Sequence, residues 1–234
     1  MTAKIIVICN QKGGCGKTTV SLQLAGTFAR RGQKVHICDG DEQQSVIEIL
    51  SMSPEGEPSP FSAGGMYKAG KRTHQELKKI SNIYNYIIVD CPPSSDSPLA
   101  ESALLVADMA IIPTLLGVQD VKAAERIKAM LNRVSIINPE LQSWLLLNRH
   151  EQNTLSNIVH ETLSVFGLPQ FKTELKKRIA YAESFLFGDS VHVLKSKAKE
   201  AIHEIECLAD EINEKLEDKK NMSHKFLEEG LSYE

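Results

Sequence analysis

Short apolar runs alternate along the chain with longer amphipathic stretches. Lys4–Cys9, Lys34–Cys38, Tyr86–Val89, Met109–Ile112 and Trp144–Leu147 are short, continuous and partly β-branched, and they predict buried strands. Between them, Thr18–Arg31 sets Val20, Leu22, Leu24, Ala25 and Phe28 on a helical repeat. Gln119–Val134 and Thr154–Phe166 are amphipathic too. This alternation predicts an α/β fold, a mostly parallel sheet flanked by helices on both faces. Two stretches break the pattern. Ser51–Gly70 is rich in Pro, Gly and Ser and predicts a loop or short irregular insertion. From Asp218 the chain is polar and unpatterned, which predicts one domain over residues 1–217 and a loose tail over 218–234.

Composition narrows the class. The chain has 234 residues, 42% hydrophobic and 24% charged, enough for one domain with a sizeable core. A net charge of −3 excludes a wholly basic nucleic-acid protein but leaves room for a basic patch. The cysteines Cys9, Cys15, Cys38, Cys91 and Cys207 form no CxxC pair and no zinc spacing, and they read as reduced thiols. There is no apolar run of membrane-spanning length and no signal-peptide pattern, so a cytoplasmic protein is expected.

The chemistry begins at "KGGCGKTT", residues Lys12, Gly13, Gly14, Cys15, Gly16, Lys17, Thr18 and Thr19, between the first strand and the first helix. Glycines let backbone N–H groups wrap a phosphate, and the helix N-terminus favours negative charge. Lys17 is placed to reach β- and γ-phosphates, and the Thr18 hydroxyl to ligate Mg²⁺. Gln11 stands where the strict GxxxxGK[ST] pattern needs glycine, and a second lysine, Lys12, precedes the glycine pair. Cys15 sits where a helix dipole acts on a thiol, which raises the question of reactivity. Further on, Asp39 and Asp41 follow the second strand, Asp90 ends the strand "YIIVD", and Asn148 and Arg149 end "WLLLNR".

The loop resembles the deviant Walker A box of the ParA/MinD ATPases, KGGxGKT[ST], which implies a single-domain P-loop NTPase. "ADMAIIPTLLGVQDVKAA" and "KKRIAYAESFLFGDSV" resemble later ParA stretches, so that the likeness runs to about residue 215. The resemblance implies ATP and Mg²⁺ as cofactors. It implies that Lys12 reaches the partner's phosphates across a homodimer formed with ATP. Catalysis would involve Lys12, Lys17 and Asp41, with Asp41 positioning the attacking water. Thr18, Asp39 and Asp90 would hold the metal, and Asn148 and Arg149 would lie near adenine. Glu42 departs from the usual proline after the second aspartate.

The chain starts directly at its first strand, and the resemblance is therefore to small, ParF-like partition ATPases. That implies a slow ATPase that binds DNA non-specifically, associates with the nucleoid in its ATP form, and is stimulated by a small centromere-binding adaptor. Lys172, Lys176, Lys177, Arg178, Lys195, Lys197 and Lys199 stand against four acids between Lys172 and Glu200, whereas the remainder of the chain is acidic. They are the candidate DNA contacts. The short acidic end of the chain speaks against a membrane-targeting helix. A MinD-like positioning ATPase acting on a membrane or a protein cargo is the alternative. The nitrogenase-type iron proteins need a second bridging cysteine that the chain lacks.

Overall fold

A computed structural model describes residues 2–94, 97–115, 120–150 and 167–230. Seven parallel strands form one sheet, in the order β3-β2-β4-β1-β5-β6-β7. They are β1 (Lys4–Ile8), β2 (Val35–Asp39), β3 (Ser62–Gly65), β4 (Tyr86–Asp90), β5 (Met109–Thr114), β6 (Gln142–His150) and β7 (Leu175–Lys176). The helices are α1 (Lys17–Arg30), α2 (Ser45–Leu50), α3 (Thr73–Ile80), α4 (Pro98–Leu104), α5 (Asp120–Ser135), α6 (Ile179–Glu183) and α7 (Lys199–Gly230). The five apolar runs each become a strand.

Their continuity follows from burial on both faces. In β1, Ile5 and Val7 enter one apolar cluster and Ile6 and Ile8 the other. β4 divides in the same way, Ile87 and Val89 from Ile88. Leu77 of α3, Leu99 and Leu104 of α4, and Ile127 and Leu131 of α5 cover one face. Val20, Leu24 and Phe28 of α1 cover the other, backed by Ile205, Leu208, Ile212 and Leu216 of α7. A strand sandwiched in this way has no polar side to alternate with.

The connection from β1 runs through α1 to β2, on one side of β1, and β5 is added later on the other. The carboxyl ends of β1 and β4 therefore open beside the point where the winding reverses. Open α/β sheets bind their ligands in that crevice.

Three readings of the sequence change. The segment Ser51–Gly70 is not all loop, because Ser62–Gly65 pairs with β2 as an edge strand. Its residues are too small to register as an apolar run. Smallness is what the position requires, since a Cβ on Gly64 would stand 3.3 Å from His36 Nε2. The two-residue β7 is too short to announce itself. Finally, α7 runs to Gly230, so the backbone past Asp218 is helical where a loose tail is expected. Lys, Glu and Leu there are good helix formers even without an apolar stripe. The predicted helix at Thr154–Phe166 lies outside the described residues.

α1 is also clamped to the segment that leads into α7. Arg30 NH1 and NH2 donate to the two Asp189 carboxylate oxygens at 3.0 and 2.5 Å. Gln23 Oε1 accepts from Val191 N at 2.7 Å. Gly26 lies between these contacts, and a Cβ there would overlap Ser190. Gly26→Ala would ordinarily gain up to about 1 kcal/mol of helix propensity. Overpacking costs about 1–3 kcal/mol and wins. Chemical denaturation is expected to show the variant destabilised, by about 1–2 kcal/mol.

His36 gives a pH signature. Its ring stacks on Tyr84 with centroids 4.8 Å apart, and Nδ1 lies 2.8 Å from Ser62 Oγ. Burial holds its pKa below the ordinary 6.5. The unfolded chain therefore takes up a proton first as the pH falls. This contribution to stability is present above about pH 6.5 and is lost on acidification below it. A His36→Asn variant is expected to show a flatter fall in melting temperature between pH 6.5 and 5 than the wild-type protein.

Candidate functional site

The loop after β1 is built by backbone geometry. Gly14 and Gly16 have φ of 73° and 92°, where residues with a Cβ are strained. Asn10 braces the entrance. Its Oδ1 accepts from Lys12 N at 3.1 Å, and its Nδ2 donates to the Pro113 carbonyl at 2.6 Å. Lys17, only 7% exposed, donates from Nζ to the Lys12 carbonyl at 3.3 Å. The ammonium group is thereby folded back over the loop that it serves.

Asp90 anchors the floor. Thr18 Oγ1 donates to Asp90 Oδ2 at 2.7 Å and Ser21 Oγ to Oδ1 at 3.1 Å. Burial pushes the Asp90 carboxyl up to about 7, and the neighbouring Asp39 adds to the rise. A buried carboxyl so reluctant to ionise has a charge that lacks compensation. The Thr18 hydroxyl and the Asp90 carboxylate are oxygen donors of the kind that Mg²⁺ takes. The donor set therefore fits a divalent cation.

Asp39 lies on β2, next to β4. It pairs with Asp90 across neighbouring strands, but its carboxylate faces the following loop. Oδ1 accepts from Asp41 N at 3.1 Å, and Oδ2 from Val46 N at 2.9 Å and Ile47 N at 3.4 Å. It thus holds the turn and the start of α2. That turn presents Asp41 to the cavity.

Gly14, Gly16, Lys17, Thr18, Thr19, Asp41, Asn148 and Arg149 share one cavity of about 590 Å³ with the segment from Lys176 to Phe185. Asn148 and Arg149 act on the loop itself. The buried Asn148 donates from Nδ2 to the Cys15 carbonyl at 2.7 Å. Arg149 occupies an irregularity between β6 and β7 with φ of 55°, and NH1 donates to the Gly14 carbonyl at 3.4 Å. A bulge of this kind re-aims a side chain. Both residues brace the phosphate loop from the carboxyl end of β6.

The pattern of the CobQ/CobB/MinD/ParA nucleotide binding domain matches residues 6–191. The chain belongs to this family. It is 26% identical over 208 residues to a maintenance of carboxysome distribution protein A from Halothiobacillus neapolitanus, covering 88% of this chain and 95% of that protein. It is 26% identical over 236 residues to the chromosome-partitioning ATPase Soj of Thermus thermophilus, covering 88% and 94%. The septum site-determining protein MinD from Pyrococcus horikoshii, solved with Mg-ADP, matches the fold with a TM-score of 0.70 at 21% identity, covering 93% and 98%.

Within this ParA/MinD-type domain, Lys12 is half-buried at the rim of the loop, its backbone fixed from both sides by Asn10 and Lys17. Cys15 is fully buried, and burial pushes its thiol up, so it is a packing residue and not a reactive one. Ser21 was not among the residues singled out in the sequence, although its place one helical turn from Thr18 makes it face the same carboxylate. Asn10 carried no signal of its own.

The basic cluster divides. Lys177, Lys197 and Lys199 are exposed around one depression. Lys195 is exposed as well, at a kink with φ of 53°. Arg178 is instead paired with Glu200 and Glu204. Lys172 lies apart, its backbone N–H bound to Glu211 of α7.

Gly16→Ala combines the strain of a positive φ with an overlap on Asn148 Nδ2. The variant is expected to fold yet lose nucleotide affinity, which fluorescent-nucleotide titration beside circular dichroism would check.

Proposed function

We propose that the protein is an ATP-driven positioning ATPase of the ParA type. It binds Mg-ATP in the β1–α1 loop, dimerises through that face, and rides on non-specific DNA until a small adaptor triggers hydrolysis. The observation that carries this reading is the pair of lysines on one loop, with Lys17 turned inward and Lys12 at the rim.

Thr18 and Asp90 would hold Mg²⁺, whose charge would offset the negative charge of the β- and γ-phosphates. Lys17 draws the phosphates into the loop, helped by the N–H groups at the start of α1. Asp41 lines the cavity and orients the attacking water. Lys12 of each subunit stabilises charge on the transferred phosphoryl group of the other, as an arginine finger does. Turnover is slow because each site is completed only by a partner. The likeness to a carboxysome distribution protein favours a second reading of the cargo, a protein assembly moved by the same cycle instead of a replicon. The adaptor's target distinguishes the two.

Lys17→Ala is expected to lower ATP affinity by about a hundredfold, since it removes charge-assisted bonds to the ligand. Lys12→Ala is expected to keep affinity within a few-fold while turnover falls by ~10³-fold. Calorimetry and phosphate release separate the two effects, and unchanged turnover in Lys12→Ala would end the cross-subunit role. On random-sequence duplex DNA, binding is expected only with ATP and to weaken with salt. Replacing Lys177, Lys197 and Lys199 should reduce the log–log salt slope by roughly one for each phosphate no longer neutralised. DNA binding that ignores nucleotide would overturn the carrier cycle.

A further inference from the structure

The far wall of the nucleotide cavity is made of poor material. β7 has two residues and α6 has five, and neither length sustains structure alone. Beside the pairing of β7 with β6, the burial of Leu175 and Tyr181 and the Arg178–Glu200 ion pair, one carboxylate outside the cavity lining gathers them onto α7. Glu204, on α7, has a side chain only 12% exposed. Its Oε1 accepts from Arg178 Nε at 3.0 Å and NH2 at 2.7 Å. Its Oε2 accepts from Lys176 N at 3.2 Å and from the Tyr181 hydroxyl at 3.0 Å. All three partners line the cavity.

The two ends of that cavity differ chemically. One end is the phosphate loop. The other presents Ile179, Tyr181, Ala182 and Phe185, an apolar and aromatic surface of the kind on which a nucleoside base packs. We propose that Glu204 is a positioning residue that fixes the nucleoside-binding end of the cavity from α7, by holding Lys176, Arg178 and Tyr181 in place. The proposal rests on the reading of this cavity as a nucleotide site. It adds that the base and the phosphates are held by separable machinery.

Both carboxylate oxygens are needed, because all four donors face them. Glu204→Gln turns one oxygen into an NH₂ group, and either the Arg178 fork or the Lys176–Tyr181 pair then loses its acceptor. Calorimetry would compare wild type and Glu204→Gln with Mg-ADP and with inorganic tripolyphosphate, which carries no nucleoside. ADP affinity is expected to fall about tenfold in the variant, with tripolyphosphate affinity kept within about twofold. Equal loss for both ligands, or no loss for ADP, would overturn the proposal. Should wild type bind neither ligand, the nucleotide reading itself would fail first and take the proposal with it. Where Glu204→Gln does not fold by circular dichroism, Arg178→Lys carries the same comparison, because it keeps the charge and loses the fork. Selective loss of ADP supports the proposal there too, and equal or absent loss overturns it.

Discussion

The buried Asp90 carboxylate is the constraint on which the site depends. It stands at the carboxyl end of β4 beside the phosphate loop, and both oxygens are taken by hydroxyls of α1. The Asp90 carbonyl also accepts from Gly40 N at 2.9 Å, so the same residue fixes the start of the loop after β2. A Cβ on Gly40 would meet that carbonyl oxygen at 2.9 Å, which explains the glycine. Strand, helix and loop thus meet at one acid that burial keeps from ionising readily. Such a group is held in readiness for positive charge, and the surrounding fold bears the cost of keeping it there.

A second layer of polar contacts keeps α1 in place behind the loop. Arg30 binds Asp189, Gln23 binds Val191 N and Ser184, and Arg31 binds Glu206 of α7. These groups are mostly paired in full, as buried polar networks must be to avoid a penalty. The helix that starts at the phosphate loop is therefore tied to the segment that leads into α7, and Arg31, just past its end, is tied to α7 itself. The carboxylate of Glu204 ties α7 in turn to the far wall of the cavity. Both ends of the cavity refer to one long helix.

The phosphate loop itself is held by side chains that come from far along the chain. Asn148 and Arg149 donate to the Cys15 and Gly14 carbonyls across more than a hundred residues of sequence. The positive φ of Arg149 sits where β6 slips register against β7. Strain of that kind is retained where the surroundings over-determine it.

Residue order alone determined the five central strands, α1, the parallel sheet and the identity of the phosphate loop. Those features depend on local periodicity and on Gly, Lys and Thr at fixed spacing, so they are written in adjacent residues. Asp90 was legible for the same reason, as an acid ending an apolar run. Only the tertiary structure decided that Asp39 holds a turn, that Asn148 braces the loop, that Arg178 is paired with acids and so set apart from the exposed lysines, and that Ser62–Gly65 closes the sheet edge. Each depends on a partner distant in sequence, and a side chain's role is set by the donor or acceptor that packing brings to it. Glu204 shows this most sharply. In sequence it is one acid among many on a polar helix, and its four donors are assembled only by the fold.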